Sequence, residues 1–312
     1  MAALDVSFGM LFIGLVLSTC LYGVNLLQTY NYYRRYPNDR LSLKLTVAVA
    51  MLLDTAGIAC TAQGVYWYLV THYGDTTAMA VIAKTLCVES LIMNIVTFIV
   101  QCFFANSVYN VSKKNKTVTG LIYFTAFAGF VLGLAMGSED LIGVYFAALA
   151  VRKMWILAGI GLGVVALCDI AITVALCYYF RFYKGGFRDT DTLLDKLIIY
   201  TINRGIITAT IQTLNMAFFI GMPDNLVWAP FHLVLSRIYI ISLLATLNRR
   251  DVGKRSGDGI LQVSTSQFKS SNGQGGISVS TDTHVDSMAM HSLVLNKSST
   301  GTNSMEKGYM NA

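Results

Sequence analysis

The sequence predicts an all-α fold, a polytopic membrane bundle of seven transmembrane helices with its N-terminus outside and its C-terminus in the cytosol. Three observations predict it: the bulk composition, seven long apolar runs, and lysine and arginine concentrated in alternate connections between those runs. Hydrophobic residues make up 54% of the 312-residue chain and charged residues 13%, whereas soluble domains average about 25% charged residues. A composition this apolar excludes an ordinary soluble domain.

Each apolar run is long enough to cross a bilayer as one helix. A hydrocarbon core of about 30 Å requires about 20 residues per helix, and backbone groups in lipid must be bonded within the segment. The opening Met-Ala-Ala-Leu-Asp lacks the basic residues of a cleavable signal peptide, so the first helix is predicted to be its own insertion signal. In chain order the predicted spans are residues 8–30, 45–70, 80–105, 118–137, 155–180, 196–222 and 226–248.

The basic residues near the span ends predict the orientation of the chain. The second, fourth and sixth connections, on one side of the membrane, carry only Lys84, Arg152 and Lys153. Because basic connections stay in the cytosol, the N-terminus is predicted outside. The predicted localisation is a multi-pass membrane protein, with the plasma membrane favoured over internal membranes. The first, third and fifth connections and the stretch after the seventh span together hold 15 basic residues: Arg34, Arg35, Arg40, Lys44, Lys113, Lys114, Lys116, Arg181, Lys184, Arg188, Lys196, Arg249, Arg250, Lys254 and Arg255.

The composition changes after the seventh span, which divides the chain into two parts. Residues 1–250 form the predicted transmembrane domain, and residues 251–312 are rich in serine, threonine and glycine. A stretch with so few apolar residues cannot bury enough surface to offset its ordering entropy, so it is predicted to be a disordered cytosolic tail. Its hydroxyls make it either a solvated end or a phosphorylated surface for cytosolic signalling or trafficking proteins.

Ionisable residues inside the predicted spans are the main candidates for a site, since each is costly in lipid unless paired or hydrated. We predict an intramembrane charge network of Asp54, Asp169, Arg204 and Arg237, with the two aspartates as partners of the two arginines. Asp169 and Arg237 are the pair on which this prediction most depends. Such a network is either a latch that holds the bundle together or a switch that opens.

Glu89 lies in the outer third of the third span and is the centre of a second predicted site. Together with Gln63, Asn94 and His232 it is expected to line an outward-facing polar pocket. Neutral polar residues in five of the seven spans either bond neighbouring helices or extend this polar path through the interior. They are Asn25, Gln63, Asn94, Gln101, Asn203, Gln212, Asn215 and His232.

Glycines recur at four-residue spacing in two spans. The fourth span holds Gly129, Gly133 and Gly137, and the fifth holds Gly159 and Gly163. Small residues at this spacing let helices approach closely. The pattern indicates either packing within the bundle or the face of a homodimer.

The stretch from Asp169 through "CYYFRFYKGGFRDTDTLLDKLIIYTINRG", the "MPDNLVW" turn and the closing "LSRIYIISLLATLNRR" resemble a family of fungal, chiefly basidiomycete, seven-helix membrane proteins of unknown function. The resemblance implies a fungal source and the seven-helix fold, and it brings no established activity. It also implies positions of interest, namely Asp169, Arg188, Thr190, Asp191, Leu194, Tyr200, Asn203, Pro223, Arg237, Tyr239 and Asn248.

Three classes of function are considered at the level of the sequence, and the third, an intramembrane hydrolase, is disfavoured. Seven helices, an outside N-terminus, basic inner connections and a hydroxyl-rich tail favour a receptor-like or sensor-like protein, although likeness of fold alone is weak ground for function. The charges within the spans favour, as the alternative, a transporter or lipid-handling protein. No enzyme is predicted, because only His232 of the four histidines lies in a span, and neither a cofactor, a metal nor a nucleic-acid partner is implied.

Overall fold

The computed structural model describes residues 2–75, 81–143, 152–182, 188–222 and 225–249, with side chains described except at residues 2–7, 140–143, 152–155 and 188–197. These ranges contain seven long α-helices. They are α1 (Ala2–Arg35), α2 (Leu41–Tyr66), α3 (Lys84–Val111), α4 (Lys116–Gly143), α5 (Arg152–Phe182), α6 (Arg188–Gly221) and α7 (Ala229–Asn248). The tail predicted for residues 251–312 lies outside the described residues, so its disorder stays a prediction.

Six of the helices in the described ranges are long and apolar enough to cross a membrane, which makes the chain a multi-pass membrane protein by length and composition. The helix that does not meet this measure is α6. It carries Arg204, Gln212 and Asn215 on its buried side, and these polar residues lower its overall apolarity. The outer face of α6 is still apolar, since Ile199, Ile206 and Ile207 are 58%, 58% and 48% exposed.

The helices form a closed ring in chain order. Each packs against its neighbours in the chain, and α1 and α7 pack against each other to close the ring. Helix α3 also contacts α5 and α7, and α7 also contacts α2, so α3 and α7 each contact two helices across the ring. The site described below therefore draws its side chains mainly from α3 and the helices that face it.

Large apolar side chains cover the outer surface of the ring. Leu52, Phe124 and Leu167 are 70%, 71% and 62% exposed. Soluble proteins rarely expose so much contiguous apolar surface, so this surface is suited to lipid. The large side chains on the outer surface are thus mostly apolar, whereas the buried polar ones lie in the interior.

Hydrogen bonds across the bundle show which helix ends lie together. Tyr36 donates from its hydroxyl to the Asn248 carbonyl over 3.2 Å, and the Asn248 amide donates to the Gln28 carbonyl over 2.9 Å. The Arg249 guanidinium carbon lies 4.4 Å from the centre of the Tyr200 ring. The C-terminal ends of α1 and α7 and the N-terminal part of α6 therefore meet at one end of the bundle.

Short connections keep neighbouring helices antiparallel. Between α3 and α4, Lys113 and Lys114 both adopt positive φ, at 55° and 67°, which closes a tight turn. Asn115 then caps α4, because its side-chain oxygen accepts from the backbone amide of Thr117 over 3.1 Å. At the far end of α2, a π-helical turn at Trp67–Thr71 leads into a bend where Gly74 has φ +81°.

Candidate functional site

Arg237, at the middle of α7, is the centre of the first buried cluster. Its Nη1 atom donates to Glu89 Oε1 of α3 over 3.1 Å, and its Nε atom lies 3.3 Å from Asp54 Oδ1 of α2. All three side chains are almost completely buried, with Arg237 only 1% exposed. One guanidinium therefore bridges two carboxylates from two different helices.

Neighbouring residues hold this cluster in place. The Asn25 amide of α1 donates to Asp54 Oδ2 over 2.8 Å and approaches the Arg237 carbonyl at 3.4 Å. Gly57, one helical turn after Asp54, leaves room for the guanidinium, since a Cβ there would lie 3.2 Å from Arg237 Nη2. Four helices, α1, α2, α3 and α7, thus contribute to the cluster around Arg237.

His232 lies five residues before Arg237 on α7 and extends the first cluster. Its Nε2 atom is 3.6 Å from Glu89 Oε2 and 3.4 Å from the Ser90 hydroxyl oxygen. The His232 side chain is 20% exposed, whereas that of Glu89 is 2% exposed. His232 therefore stands between the buried carboxylate and the more open interior.

Asp169 of α5 is the centre of the second buried cluster. The Tyr239 hydroxyl of α7 donates to Asp169 Oδ2 over 2.6 Å, and the Gln101 amide of α3 approaches Asp169 Oδ1 at 3.4 Å. Arg204 Nη2 of α6 lies 3.7 Å from the same Oδ1 atom, a charge contact longer than a hydrogen bond. The Arg204 guanidinium carbon also lies 3.5 Å above the centre of the Phe104 ring, a cation–π contact.

The two clusters differ in their formal charge. The Arg237 cluster has two carboxylates for one guanidinium, and the Asp169 cluster has one of each. Removing one member of a buried pair leaves an uncompensated charge, which costs about 3–5 kcal/mol. Both clusters therefore tie helices together, and the Arg237 cluster has one carboxyl group more than it has guanidinium groups.

A cavity lies inside the ring of α3, α4, α5, α6 and α7. The cavity has a volume of about 180 Å³, far above the roughly 10–15 Å³ that a single water needs. Most of the lining is apolar, including Met93, Met136, Phe219 and Trp228. The polar side chains that line it are Ser90, Asn94, Thr97, Gln212, Asn215, His232 and Tyr239.

The cavity touches both clusters through single side chains. His232 lines it and faces Glu89, whereas Tyr239 lines it and donates to Asp169. No carboxylate is among the described residues that line the cavity. A molecule in the cavity would therefore meet the partners of the two buried carboxylates and not the carboxylates themselves.

The structure brings together the charged residues predicted from the sequence but corrects their arrangement. Arg237 does not pair with Asp169; its partners are Asp54 and Glu89, and Asp169 faces Arg204. The reason is depth along the bundle. Arg237 lies level with Glu89 and Asp54, while Tyr239, farther along α7, is the residue that reaches Asp169.

The predicted pocket around Glu89 is also corrected. His232 lies beside Glu89, and Asn94 lines the cavity while its amide donates to the Phe130 carbonyl over 3.0 Å. Gln63, however, is exposed on the outer side of α2 and is absent from the cavity lining. Asn203 is likewise exposed, because it lies next to the buried Arg204 on α6 and so points to a different side of the helix.

The remaining positions implied by the resemblance fall into two groups. Tyr239, Asn248 and Tyr200 make the contacts described above, and the Tyr200 hydroxyl also approaches the Ser242 carbonyl at 3.4 Å. The side chains of Arg188, Thr190, Asp191 and Leu194, together with Pro223, lie outside the described residues.

Three contributors to the site were missed in the sequence. Ser90 contacts His232, Phe104 stacks on Arg204, and Gly57 makes room for Arg237. Only Gly57 carries a usable signal, since it lies three residues after Asp54 and thus on the same side of α2. Ser90 and Phe104 resemble any other serine or phenylalanine in an apolar helix.

The described residues contain no group of three or more histidine, cysteine, aspartate or glutamate side chains placed to hold a metal ion. The contacts in the two clusters are instead those of ion pairs and hydrogen bonds.

Comparison with known proteins finds a family model that matches part of the chain. Residues 165–252 match the model of a family of unknown function (DUF6534). The matched segment runs from the middle of α5 to just beyond α7, and so includes Asp169, Arg204, Arg237 and Tyr239. No curated protein matches the chain. The match thus covers the part of the buried site that lies on α5, α6 and α7, and it assigns no activity to that part.

Proposed function

We propose that this chain is a receptor-like or sensor-like membrane protein without catalytic activity, in which occupancy of the central cavity changes the two buried charge clusters. The observation that carries the proposal is the position of His232 and Tyr239. Each lines the cavity and contacts a different buried carboxylate, Glu89 or Asp169. A ligand that moved either side chain would alter the ion pairs that join α2, α3, α5, α6 and α7.

The clusters are suited to the role of a switch. Ion pairs buried away from water are costly when one partner moves, so the bundle favours discrete arrangements over gradual deformation. α1, α6 and α7 meet at one end of the bundle through Tyr36, Asn248 and the basic residue Arg249. A shift of α6 or α7 at the clusters would change this end, which is the surface available to cytosolic signalling or trafficking partners.

The alternative is a transporter or lipid-handling protein. Transporter sites are typically formed by interrupted helices at the level of the substrate. In the described residues, the helices α3, α5, α6 and α7 have no internal break where they line the cavity, although the cavity also touches Ile82, Leu226 and Trp228 in the connections before α3 and α7. Helices without an internal break at the site favour a sensor over a carrier.

The proposal includes the finer features of the topology. All seven helices cross the membrane, α6 among them, with the N-terminus outside and the C-terminus in the cytosol of a plasma membrane. The proposal also includes the fungal source and the seven-helix family implied by the sequence resemblance; the match over residues 165–252 is to a family of unknown function.

The proposal is tested by proximity labelling in the cytosol. The full chain carries a biotin ligase at its C-terminus, and wild type is compared with His232→Gln and Tyr239→Phe, with labelling normalised to the amount of protein in the membrane. We expect signalling proteins, such as kinases or G-protein subunits, among the labelled partners. We expect either variant to change their labelling at least about twofold, because each breaks a contact to a buried carboxylate.

Tyr178→Phe is the matched control, since Tyr178 is 65% exposed on the outside of α5. It should leave the labelling unchanged. Labelling of trafficking proteins alone, or equal labelling in wild type, His232→Gln and Tyr239→Phe, would refute the proposed signalling role.

A further inference from the structure

We infer that the central cavity binds a neutral amphiphile, a molecule with an apolar body and a head group that donates hydrogen bonds, with a hydroxyl as the simplest case. This inference rests on the proposed function, because it names the ligand class of the same cavity. Two properties of the lining support it: the apolar character of most of its side chains, and a set of buried oxygens that lack hydrogen-bond partners.

Three cavity-lining residues carry such oxygens. Among the described residues, the Thr97 hydroxyl oxygen, Gln212 Oε1 and Asn215 Oδ1 have no hydrogen-bond partner. The three residues are 6%, 3% and 4% exposed. A buried polar group without a partner costs about 1–3 kcal/mol, so three around one cavity indicate a site built for a polar group.

The orientation of Gln212 shows which kind of group is required. Its Nε2 atom donates to the Leu162 carbonyl over 3.0 Å. Turning the amide over would place its oxygen against that carbonyl oxygen, so Oε1 is the atom left facing away. Gln212 therefore offers an acceptor, and the ligand must supply a donor.

The charge of the head group follows from the same lining. An ammonium would need a carboxylate, and no described lining residue supplies one, so its desolvation would be uncompensated. A carboxylate head would face the acceptor oxygens of Gln212 and Asn215. A neutral hydroxyl avoids both costs, because it donates one hydrogen bond and carries no charge.

The apolar part of the ligand has its own surroundings. Met93 and Met136 contribute flexible thioethers, and Phe219 and Trp228 contribute aromatic rings. The three unpartnered oxygens are buried and are not open to the cavity directly. Binding therefore includes a rotation of these polar side chains toward the cavity. The Thr97 side chain is the most free to turn, because its hydroxyl makes no hydrogen bond in the described residues.

The test uses the full chain in lipid nanodiscs and a photoactivatable probe, a ten-carbon primary alcohol that carries a diazirine. We expect crosslinks to map to lining residues of α3 and α6. We expect 1-decanol to compete at least about fivefold better than decane or decanoic acid. Lipid extracts of the purified protein then distinguish a hydroxyl-bearing bilayer lipid, which would be retained, from an alcohol delivered through water.

Thr97→Val is the decisive variant, because it keeps the shape of the side chain and removes an oxygen that has no partner in the described residues. We expect an unchanged or higher Tm, together with about 3- to 10-fold weaker competition by 1-decanol. Thr213→Val, on the exposed side of α6, is the matched control and should bind as wild type does. Asn215→Leu should weaken binding in the same direction.

Equal competition by decane and 1-decanol, equal binding by Thr97→Val and Thr213→Val, or no crosslink in the cavity would each overturn this inference. None of these results depends on cytosolic partners. Failure of the ligand class is therefore distinct from failure of the proposed signalling role, which is measured without added ligand.

Discussion

At the scale of single residues, the Arg237 guanidinium holds two carboxylates that would otherwise repel each other inside the bundle. Its contacts to Asp54 and Glu89, at 3.3 Å and 3.1 Å, come from α2 and α3, two neighbouring helices of the ring. The pair formed by Asp169 and Arg204 is longer, at 3.7 Å, and is supported by Tyr239 and Phe104. Arg237 should therefore be the more sensitive of the two arginines.

Arg237→Gln should lower the free energy of unfolding by about 3–5 kcal/mol, because it leaves two carboxylates buried without a cation. Adding Glu89→Gln should restore part of this loss, with a coupling energy of about 0.5–3 kcal/mol. Arg237→Gln and Asp169→Asn, which share no partner among the contacts above, should be additive within about 0.5 kcal/mol. Denaturation of the single and double variants in mixed micelles measures the loss of stability and both coupling energies.

The opposite pattern would contradict the structure. If Arg237 and Asp169 proved coupled while Arg237 and Glu89 proved additive, the pairing predicted from the sequence would be correct and the observed one wrong.

At the scale of helices, the glycines of α4 and α5 have different surroundings. A Cβ at Gly133 would collide with the Asn94 amide of α3, and one at Gly129 would lie 2.9 Å from a Val165 methyl of α5. Gly159 and Gly163 have nothing within 4 Å of the corresponding position. The stripe on α4 is therefore used for packing within the bundle, and the homodimer alternative now rests on the open glycines of α5.

Gly133→Ala should destabilise the protein by about 1–3 kcal/mol, because the added methyl group displaces Asn94 from its bond to the Phe130 carbonyl. Gly159→Ala is the matched control and should be neutral or stabilising by up to about 1 kcal/mol, since alanine favours a helix and meets no neighbour. Thermal unfolding in lipid nanodiscs measures both. Equal effects at the two positions would show that α4 does not pack on α3 as described.

At the scale of the whole molecule, one end of the bundle collects the basic residues. The C-terminal ends of α1 and α7 meet the start of α6 there, near Arg34, Arg35 and Arg249. At the other end, Phe8, Tyr68 and Leu226 belong to one buried apolar cluster, and Lys84 is the basic residue among the described side chains there. The two ends of the bundle thus carry different numbers of lysine and arginine residues. This difference is the property that directs insertion into the membrane.

We expect the basic end to face the cytosol. A glycosylation acceptor fused before residue 1 should be modified, whereas the native Asn110-Val-Ser and Asn115-Lys-Thr sequons should not. Enzymatic removal of glycans followed by a gel-shift assay measures this. Modification at Asn115, without modification of the fused acceptor, would reverse the predicted orientation.

The sequence by itself determined the membrane class, the approximate extent of the helices and the set of ionisable residues that must be buried. These features follow from local quantities: apolarity, the rise per residue of a helix, and the cost of a charge in lipid. The predicted spans 45–70 and 118–137, for example, lie within the α-helical and π-helical turns of residues 41–71 and within α4.

Only the tertiary structure decided which charges meet and which polar residues face inward. Arg204 is buried and its neighbour Asn203 is exposed, although both are polar and adjacent. Likewise, Arg237 bonds Glu89 and not Asp169, because the rotation and depth of α7 place those groups at different levels. Rotation and depth depend on how all seven helices pack, and the composition of a single helix does not contain them.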